Sequence, residues 1–266
     1  MKLNKISTIY FSPTNTTKTI VEAIANVFSS EINTYDITFD RTKKVENFKE
    51  DELLIIGMPV YGGRIPYLVQ EFVKNLKANN TLCIPVVVYG NRDYEDALLE
   101  LSDYLEEGGF KIVSAGAFIG EHSFGAEIAG GRPNDDDLNI AKDFALKSKQ
   151  KIQNINSVND FEKINIPGNR PYKESASATI EWEPETLDNC NDCGSCKDVC
   201  PMGIIDKGNP KLITDISKCI HCCACVKVCP QNAKVMTSEM YNKFKEFKGF
   251  LMLTCSEQKQ PELFMQ

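Results

Sequence analysis

The chain has 266 residues, of which 42% are hydrophobic and 25% are charged, a mixture typical of one large or two medium globular domains. The formal net charge of -7 argues against nucleic-acid binding, which requires a basic surface. No apolar run has the length of a membrane helix, and residues 1–11 lack the layout of a signal peptide. We therefore expect a cytoplasmic protein without a membrane span.

The first 156 residues alternate between strand-like and helix-like segments. Short apolar runs predict strands at 6–11, 32–37, 52–57, 82–89 and 110–118. Apolar residues at helical spacing predict helices at 15–28, 66–76, 93–106 and 135–152. This alternation predicts an α/β domain in which helices cover both faces of a doubly wound, parallel, five-stranded sheet.

The composition changes three times after this domain. Residues 157–184 are polar and contain proline and glycine, which predicts an interdomain linker. Residues 185–238 are rich in cysteine and form a second, small domain. Residues 239–266 carry spaced aromatic residues and are expected to form a helical tail that packs back on the body.

The cysteine-rich domain contains an internal repeat. Cys-x2-Cys-x2-Cys-x3-Cys-Pro occurs at 190–201 and again at 219–230, an offset of 29 residues. Ten of the eleven cysteines follow residue 189, and such an odd, clustered count argues for metal rather than a disulfide framework. Zinc sites also use Cys-x2-Cys, but zinc needs neither the third cysteine nor the Cys-Pro pair.

Over about fifty residues this segment resembles bacterial two-cluster ferredoxins, in which the fourth cysteine of each run ligates the other cluster. The resemblance implies a small α+β domain with two [4Fe-4S] clusters. Cluster one would use Cys190, Cys193, Cys196 and Cys229, and cluster two would use Cys219, Cys222, Cys225 and Cys200. The other three cysteines, Cys83, Cys223 and Cys255, are expected to be small buried hydrophobes. His221, between two ligands, is expected to face solvent, the alternative being a hydrogen bond that tunes a cluster.

The loop after the first predicted strand is rich in hydroxyl groups. Hydroxyls and backbone amides at a helix N-terminus form a site for a phosphate dianion. An ordinary N-cap needs only one such residue. The predicted phosphate ligands are Ser12, Thr14, Asn15, Thr16 and Thr17.

Residues 3–150 resemble flavodoxins, whose first loop binds the phosphate of FMN and whose two later loops flank the flavin ring. The implied ring contacts are Pro59, Val60, Tyr61, Gly62 and Gly63 after the third strand, and Gly90, Asn91, Asp93 and Tyr94 after the fourth. Flavodoxins usually have glycine where Asn15 stands, and asparagine is the residue that tolerates the left-handed region next best. FMN is thus the implied cofactor, and a flavin-free first domain is the alternative.

Residues 120–137 resemble the corresponding segment of flavodoxin–ferredoxin fusion proteins of anaerobes. His122 and Ser123 could approach the flavin edge there. A surface loop capped onto the next helix by Asn134 and Asp135 is the alternative.

The whole chain resembles a flavodoxin–ferredoxin fusion. The resemblance implies an electron-transfer iron–sulfur flavoprotein that uses FMN, two [4Fe-4S] clusters and an external redox protein. Because the chain is acidic, that partner is expected to be basic. Two alternatives are a flavin-dependent reductase of a small molecule and a redox-sensing module with a flavin-free first domain. The sequence does not specify the oligomeric state.

Overall fold

A computed structural model describes residues 1–155, 157–174, 183–237 and 241–265. Buried apolar runs form the strands of the first domain, since side chains on both faces of a parallel sheet are covered. These strands are β1 (Lys5–Tyr10), β2 (Asn33–Asp36), β3 (Glu52–Pro59), β4 (Thr81–Tyr89), β5 (Phe110–Ile112) and β6 (Ala115–Ile119).

The strand predicted at 110–118 is interrupted and forms both β5 and β6. Ile112 pairs with Cys83 and Gly116 pairs with Val86. The segment from Ile112 to Gly116 therefore advances four residues while β4 advances three. This extra residue is a bulge, which breaks the ladder between the two short strands. At the break, the hydroxyls of Ser114 and Ser148 share a hydrogen bond of 2.7 Å.

The strand order β2-β1-β3-β4-β5/β6 is parallel throughout, which confirms the predicted doubly wound sheet. The prediction of five strand positions misses one strand. A C-terminal strand, β9 (Glu262–Phe264), pairs antiparallel with β6 and forms a sixth position at the edge of the sheet.

Helices cover both faces of this sheet, as predicted. The helices are α1 (Thr16–Phe28), α2 (Tyr67–Lys74), α3 (Ala97–Glu107) and α4 (Asp135–Asn154). The side chains of β3 alternate between the faces. Leu53 and Ile55 share a core cluster with residues of α1 and α4, whereas Leu54 and Ile56 share one with residues of α2 and α3.

The small domain is built from short elements. Strands β7 (Glu183–Thr186) and β8 (Lys234–Thr237) form an antiparallel pair that joins the two ends of the domain. Each cysteine run contains one four-residue helix, α5 (Ser195–Asp198) or α6 (Ala224–Lys227). The 3-10 helix Ile216–Lys218 precedes the second run, and the predicted α+β character of this domain is confirmed.

The described part of the predicted linker packs on the first domain. Residues 157–174 begin with the 3-10 helix Val158–Asp160 and then run along α3. Arg170 pairs with Asp103 of α3, and the backbone N–H of Lys173 donates to Asp96 at 2.7 Å. Residues 175–182, also predicted as linker, lie outside the described residues.

The tail contains the predicted helix, α7 (Tyr241–Thr254), but it is not helical throughout, because it ends in β9. Leu251 of α7 is buried, whereas Phe250 is 57% exposed. None of the helices described in 1–155, 157–174, 183–237 and 241–265 is both long and apolar enough to cross a membrane.

Candidate functional site

The hydroxyl-rich loop lies at the carboxyl end of β1, where it leads into α1. Asn15 has a left-handed backbone with φ of 65°, as its place in the loop predicts. The Ser12 hydroxyl caps the helix by accepting a hydrogen bond from the backbone N–H of Lys18 at 3.0 Å. The side chain of Asn15 makes no capping bond. The hydroxyl of Thr17 is buried and has no hydrogen-bond partner among the described residues.

The second predicted loop, 59–66, is held in a tight turn. Gly62 and Gly63 both have positive φ angles, of 62° and 87°, which favour glycine. Buried Glu100 of α3 anchors this turn by accepting from the Arg64 side chain at 2.6 and 2.8 Å and from the Ile65 backbone at 3.1 Å. The side chain of Tyr61 therefore starts from a fixed backbone position.

The third predicted loop, after β4, serves two purposes. Gly90 and Asp93 line a cleft beside the first two loops. The side chain of Asn91 instead holds the tail: its amide donates to the carbonyls of Cys255 and Glu257, both at 2.8 Å, and its oxygen accepts from the Lys259 N–H at 3.0 Å. Tyr94 donates to Glu262 of β9 at 2.7 Å.

The structure brings most of the predicted flavin contacts to this one cleft. The predicted residues that line it are Ser12, Thr14, Thr16, Thr17, Pro59, Val60, Tyr61, Gly62, Gly63, Gly90 and Asp93. Asn15, Asn91 and Tyr94 do not line it. Asn15 is exposed, and the other two are occupied by the tail. The cleft is open to solvent, and the empty space within it, including that open part, measures about 1090 Å³.

The cleft is also lined by residues that were not predicted from the sequence to contact the flavin. Phe124 follows β6, Phe247 and Leu251 belong to α7, and Ile220 and His221 come from the second cysteine run. His221 is half-buried and contributes to the cleft wall. The rings of Phe124 and Phe247 pack edge-to-face with centroids 6.1 Å apart.

His122 and Ser123 also line the cleft, in a segment that is half-buried at the surface. The cap of α4 exists as well, although it is made by Asn134 with Asp137 rather than with Asp135. The His122 ring lies over Gly90, where any Cβ would come within 2.5 Å of its Cδ2 atom. Glycine at this position thus lets the imidazole approach the backbone of β4.

The imidazole of His122 is held neutral. Burial lowers its pKa to about 4, and the nearby cations of Lys227, Arg92 and Lys248 lower it in the same direction. Its Nδ1 atom accepts a hydrogen bond from the backbone N–H of Phe124 at 3.1 Å. Because Nδ1 is the acceptor, the proton of the neutral ring is carried by Nε2.

All eleven cysteines are free of disulfide bonds. We call the predicted ligands Cys190, Cys193, Cys196 and Cys229 the first set and the predicted ligands Cys219, Cys222, Cys225 and Cys200 the second set. Burial raises the pKa of Cys222, and its neighbours Cys225, Cys219 and Cys200 raise it further. Cys200 thus lies within electrostatic range of Cys222 in the second run. Cys229 conversely lies near Cys196, whose pKa is raised by burial and in the same direction by Cys229.

The two sets differ in their exposure. In the second set, Cys222 is 8% exposed, and neighbouring Ile220 and Ala224 share a core cluster with Tyr61 and other residues of the first domain. In the first set, Cys193 is exposed and Cys190 is half-buried. The second set therefore faces the first domain, and the first set reaches the surface.

Tyr61 connects the cleft with the second cysteine set. It lines the cleft, and its pKa is raised by burial and then by the proximity of Cys222, Cys223 and Cys219. The domains are held together here by the ion pair of Lys227 with Glu121 at 2.6 Å. Arg41 of the first domain also donates to the carbonyl of Pro201 at 3.2 Å.

The three cysteines outside the repeat spacing are buried, as expected. Cys83 lies in β4, Cys255 packs with Leu251 and Ile128, and Cys223 packs with Met236. Cys223 has a positive φ of 55° and caps α6, so its backbone has a role in forming the second cysteine loop.

The residues present fit the groups that the two resemblances imply. Flavin phosphate requires hydroxyl and amide donors at a helix N-terminus, and the buried Thr17 hydroxyl that lines the cleft is an unused donor of this kind. Iron–sulfur clusters require four thiolates each, and the eight repeat cysteines, none of them in a disulfide, are free to supply them. In the part of the chain that the structure describes, no three His, Cys, Asp or Glu side chains are arranged to hold a single metal ion.

Comparison with solved structures finds flavodoxins. A flavodoxin from the domain Archaea has 18% identity and a TM-score of 0.43, covering 56% of this chain and 99% of its own. The Fusobacterium nucleatum flavodoxin bound to flavin mononucleotide has 16% identity and a TM-score of 0.40, covering 55% and 98%. Rubredoxin oxygen:oxidoreductase from Desulfovibrio gigas has 15% identity and a TM-score of 0.41, covering 57% of this chain and 38% of its own. A search of curated proteins returns no match.

Two family models match separate parts of the chain. Residues 8–120 match a flavodoxin domain, and residues 189–234 match a 4Fe-4S dicluster domain. The first implies FMN and the second implies 4Fe-4S clusters, so the chain is an electron-transfer protein of the flavin and iron–sulfur type. It joins a flavodoxin domain to a ferredoxin-type 4Fe-4S domain and is thus identified as a flavodoxin–ferredoxin fusion.

Proposed function

We propose that the protein passes electrons between one FMN in the cleft, two [4Fe-4S] clusters and an external redox protein. When bound, FMN exchanges two electrons or one, and each cluster carries one. The observation that carries this proposal is the position of Tyr61, which lines the cleft and lies next to cysteines of the second set. The flavin side and the cluster side of the molecule meet at this residue.

The first-domain residues would hold FMN by its phosphate. Thr14, Thr16 and Thr17 line the phosphate end of the cleft, and the dipole of α1 favours a dianion there. Ser12 contributes through its cap of α1. His122, neutral with its proton on Nε2, is a hydrogen-bond donor at the cleft wall.

The cysteines would hold the clusters in the crossed arrangement. One set is Cys190, Cys193, Cys196 and Cys229, and the other is Cys219, Cys222, Cys225 and Cys200. The electrostatic proximity of Cys200 to the second run and of Cys229 to Cys196 supports this pairing. The set around Cys222 is placed to exchange electrons with the cleft, and the exposed set around Cys193 is placed to exchange them with the partner.

Charge around the outer set favours a basic partner. Asp188 is exposed near Cys190, whereas Asp192 and Asp198 pair with Lys211 and Lys197. Each oxidised cluster with its four thiolates adds about two negative charges. A complementary partner surface would therefore be positive, which steers encounter and is weakened by salt.

The cover of the cleft favours an electron carrier over a reductase of a small molecule. A reductase needs room for its substrate beside the flavin. Here Ile220, Phe247 and Leu251 contribute apolar side chains from the other domain and from the tail to the same cleft. These apolar side chains occupy space that a substrate would need, and Tyr61 links the cleft to the second cysteine set.

We also propose the domain boundaries 1–156, 157–184, 185–238 and 239–266 for the flavodoxin-like domain, the connecting segment, the dicluster domain and the tail. The packing of residues 157–174 on α3 supports a connection that is ordered along the first domain.

Anaerobic purification followed by iron, sulfide, zinc and FMN assays tests this function. Two cubanes and one flavin predict about eight irons, eight acid-labile sulfides and one FMN per chain. A protein that contains zinc, or only about four irons, would contradict the two-cluster assignment. A protein that binds no FMN would support the alternative of a redox-sensing module with a flavin-free first domain.

A further inference from the structure

Lys234 is a buried cation at the centre of the small domain. It is the first residue of β8 and is only 2% exposed. Its Nζ atom donates a hydrogen bond to the hydroxyl of Thr186, the residue opposite it on β7. A buried ammonium group is costly unless an opposite charge compensates it.

No carboxylate in the described ranges compensates this charge. The neighbouring lysines of the small domain behave differently, because Lys197, Lys211, Lys218 and Lys227 each form an ion pair with Asp or Glu. Those four are at or near the surface, where such pairs contribute little. Lys207, which makes no ion pair among the described residues, is exposed to water. Lys234 thus differs from the other lysines of the domain, because it is buried and requires another source of negative charge.

Cysteines of both runs lie near Lys234. Strand β8, which begins with Lys234, packs against α6, which carries Cys225. The adjacent backbone N–H, that of Ala233, donates to the sulfur of Cys229 at 3.2 Å. Cys196 is also within electrostatic range of Lys234. The buried ammonium group therefore has cysteines of both sets in its surroundings.

The internal repeat shows that packing does not require a lysine here. At the offset of 29 residues, Ile205 stands in the first run where Lys234 stands in the second. Ile205 is buried as well, with 4% exposure. An apolar side chain thus fills the equivalent position, and the charge of Lys234 needs an electrostatic explanation.

We propose that Lys234 is the shared counter-cation of the two clusters and that it raises the reduction potential of both. Reduction adds one electron to a cluster, and no bond forms or breaks at Lys234. The added negative charge is stabilised by a buried cation more than the oxidised cluster is, because screening by water is weak there. The inference rests on the proposed pair of clusters.

The test is a potentiometric titration followed by EPR, with dithionite as reductant, on the parent protein and three variants. Lys234→Met removes the charge with similar volume, and Lys234→Arg keeps it. Lys207→Met removes an exposed lysine of the same domain. We expect Lys234→Met to lower both midpoint potentials, Lys234→Arg to stay near the parent, and Lys207→Met to change little because water screens its charge.

Iron assays on the same samples keep the outcomes distinct. If Lys234→Met loses iron while Lys234→Arg retains it, the charge is needed to hold the clusters, which supports the proposal. Loss of iron in both variants would indicate that the shape of the lysine side chain is needed rather than its charge, and it would overturn the proposal. Full iron content with unchanged potentials in Lys234→Met would overturn it as well. A parent protein without two clusters would overturn the proposed function and this inference together.

Discussion

Thr17 carries a hydroxyl that the fold buries at the cleft without a partner among the described residues. A hydrogen bond to a charged group contributes about 1.5–3 kcal/mol. Replacing Thr14 by Ala and Thr17 by Val should therefore weaken FMN binding about a hundredfold or more. Valine at 17 keeps the γ-methyl group that packs near Gly57, so the fold should survive.

Fluorescence quenching of FMN measures this affinity. Thr19→Ala is the matched control, because the Thr19 hydroxyl bonds to the carbonyl of Asn15 at 2.9 Å and does not line the cleft. An unchanged affinity in the double variant, with the control also unchanged, would place the phosphate elsewhere.

His122 should stay neutral throughout the range from pH 5 to pH 8. Its pKa in the folded protein is lowered to about 4 by burial first and then by three cations, against an ordinary value of about 6.5 in the unfolded chain. Because the unfolded chain binds the proton more readily, the contribution of His122 to stability is present above about pH 6.5 and is lost as the pH falls towards 4.

Hydrogen exchange at the imidazole C2 position, resolved by mass spectrometry, gives a pKa for each histidine. The native protein should show the His122 transition near pH 4, and the urea-unfolded chain should show it near 6.5. A native transition near 6.5 would mean that the ring is hydrated and does not form the cleft wall.

The elements of the first domain could be predicted because their buried faces are continuous. Strands such as β3 and β4 are apolar throughout, and the helices repeat apolar residues at 3.6-residue spacing. The bulge between β5 and β6 could not be predicted, since it depends on register with β4. Strand β9 has only three residues, too few for a periodic signal.

The errors in the flavin loop have the same origin. Asn91 and Tyr94 lie in the loop that flavodoxins use, but they bond to a tail whose return to the sheet has no local signal. The cover of the cleft also depends on contacts distant in sequence, such as that of Phe124 with Phe247. The 4Fe-4S domain at 189–234 could be predicted because the spacing of its cysteines is local.

The side chain of Asn91 should make the main hydrogen bonds that hold the tail on the first domain. Asn91→Ala removes three hydrogen bonds and leaves the carbonyls of Cys255 and Glu257 and the N–H of Lys259 without that partner. Each buried group left unsatisfied costs about 1–3 kcal/mol. We expect the tail to detach from the sheet edge and residues 256–261 to become sensitive to protease.

Limited proteolysis with mass spectrometry locates the cleavage. Asn139→Ala, at an exposed asparagine of α4, is the control and should leave the digestion pattern unchanged. If Asn91→Ala is as resistant as this control, the tail is held by other contacts, such as that of Arg132 with the Lys259 carbonyl.

On the scale of the whole molecule, the proposed crossed ligands would make each cluster depend on both cysteine runs. Cys200→Ala should damage the cluster held by Cys219, Cys222 and Cys225, because Cys200 lies beside these residues. The surviving cluster of Cys200→Ala should then match that of Cys222→Ala in its EPR spectrum and potential. A match with Cys193→Ala instead would show that each run binds its own cluster.

We expect the flavin cleft and the second cysteine set to form one electron-transfer unit within the chain. Lys227–Glu121 and the shared core around Tyr61 hold the two domains in contact. A fixed contact makes transfer between them intramolecular, so its rate should not depend on how often two molecules collide.

Laser-flash reduction of the anaerobic holoprotein by one electron tests this most directly, with FMN and cluster absorbance followed in time. The exchange between the two signals is expected to be first order, with a rate constant that stays the same when protein concentration is raised tenfold. A rate that rises in proportion to protein concentration would show transfer between molecules and would contradict the account.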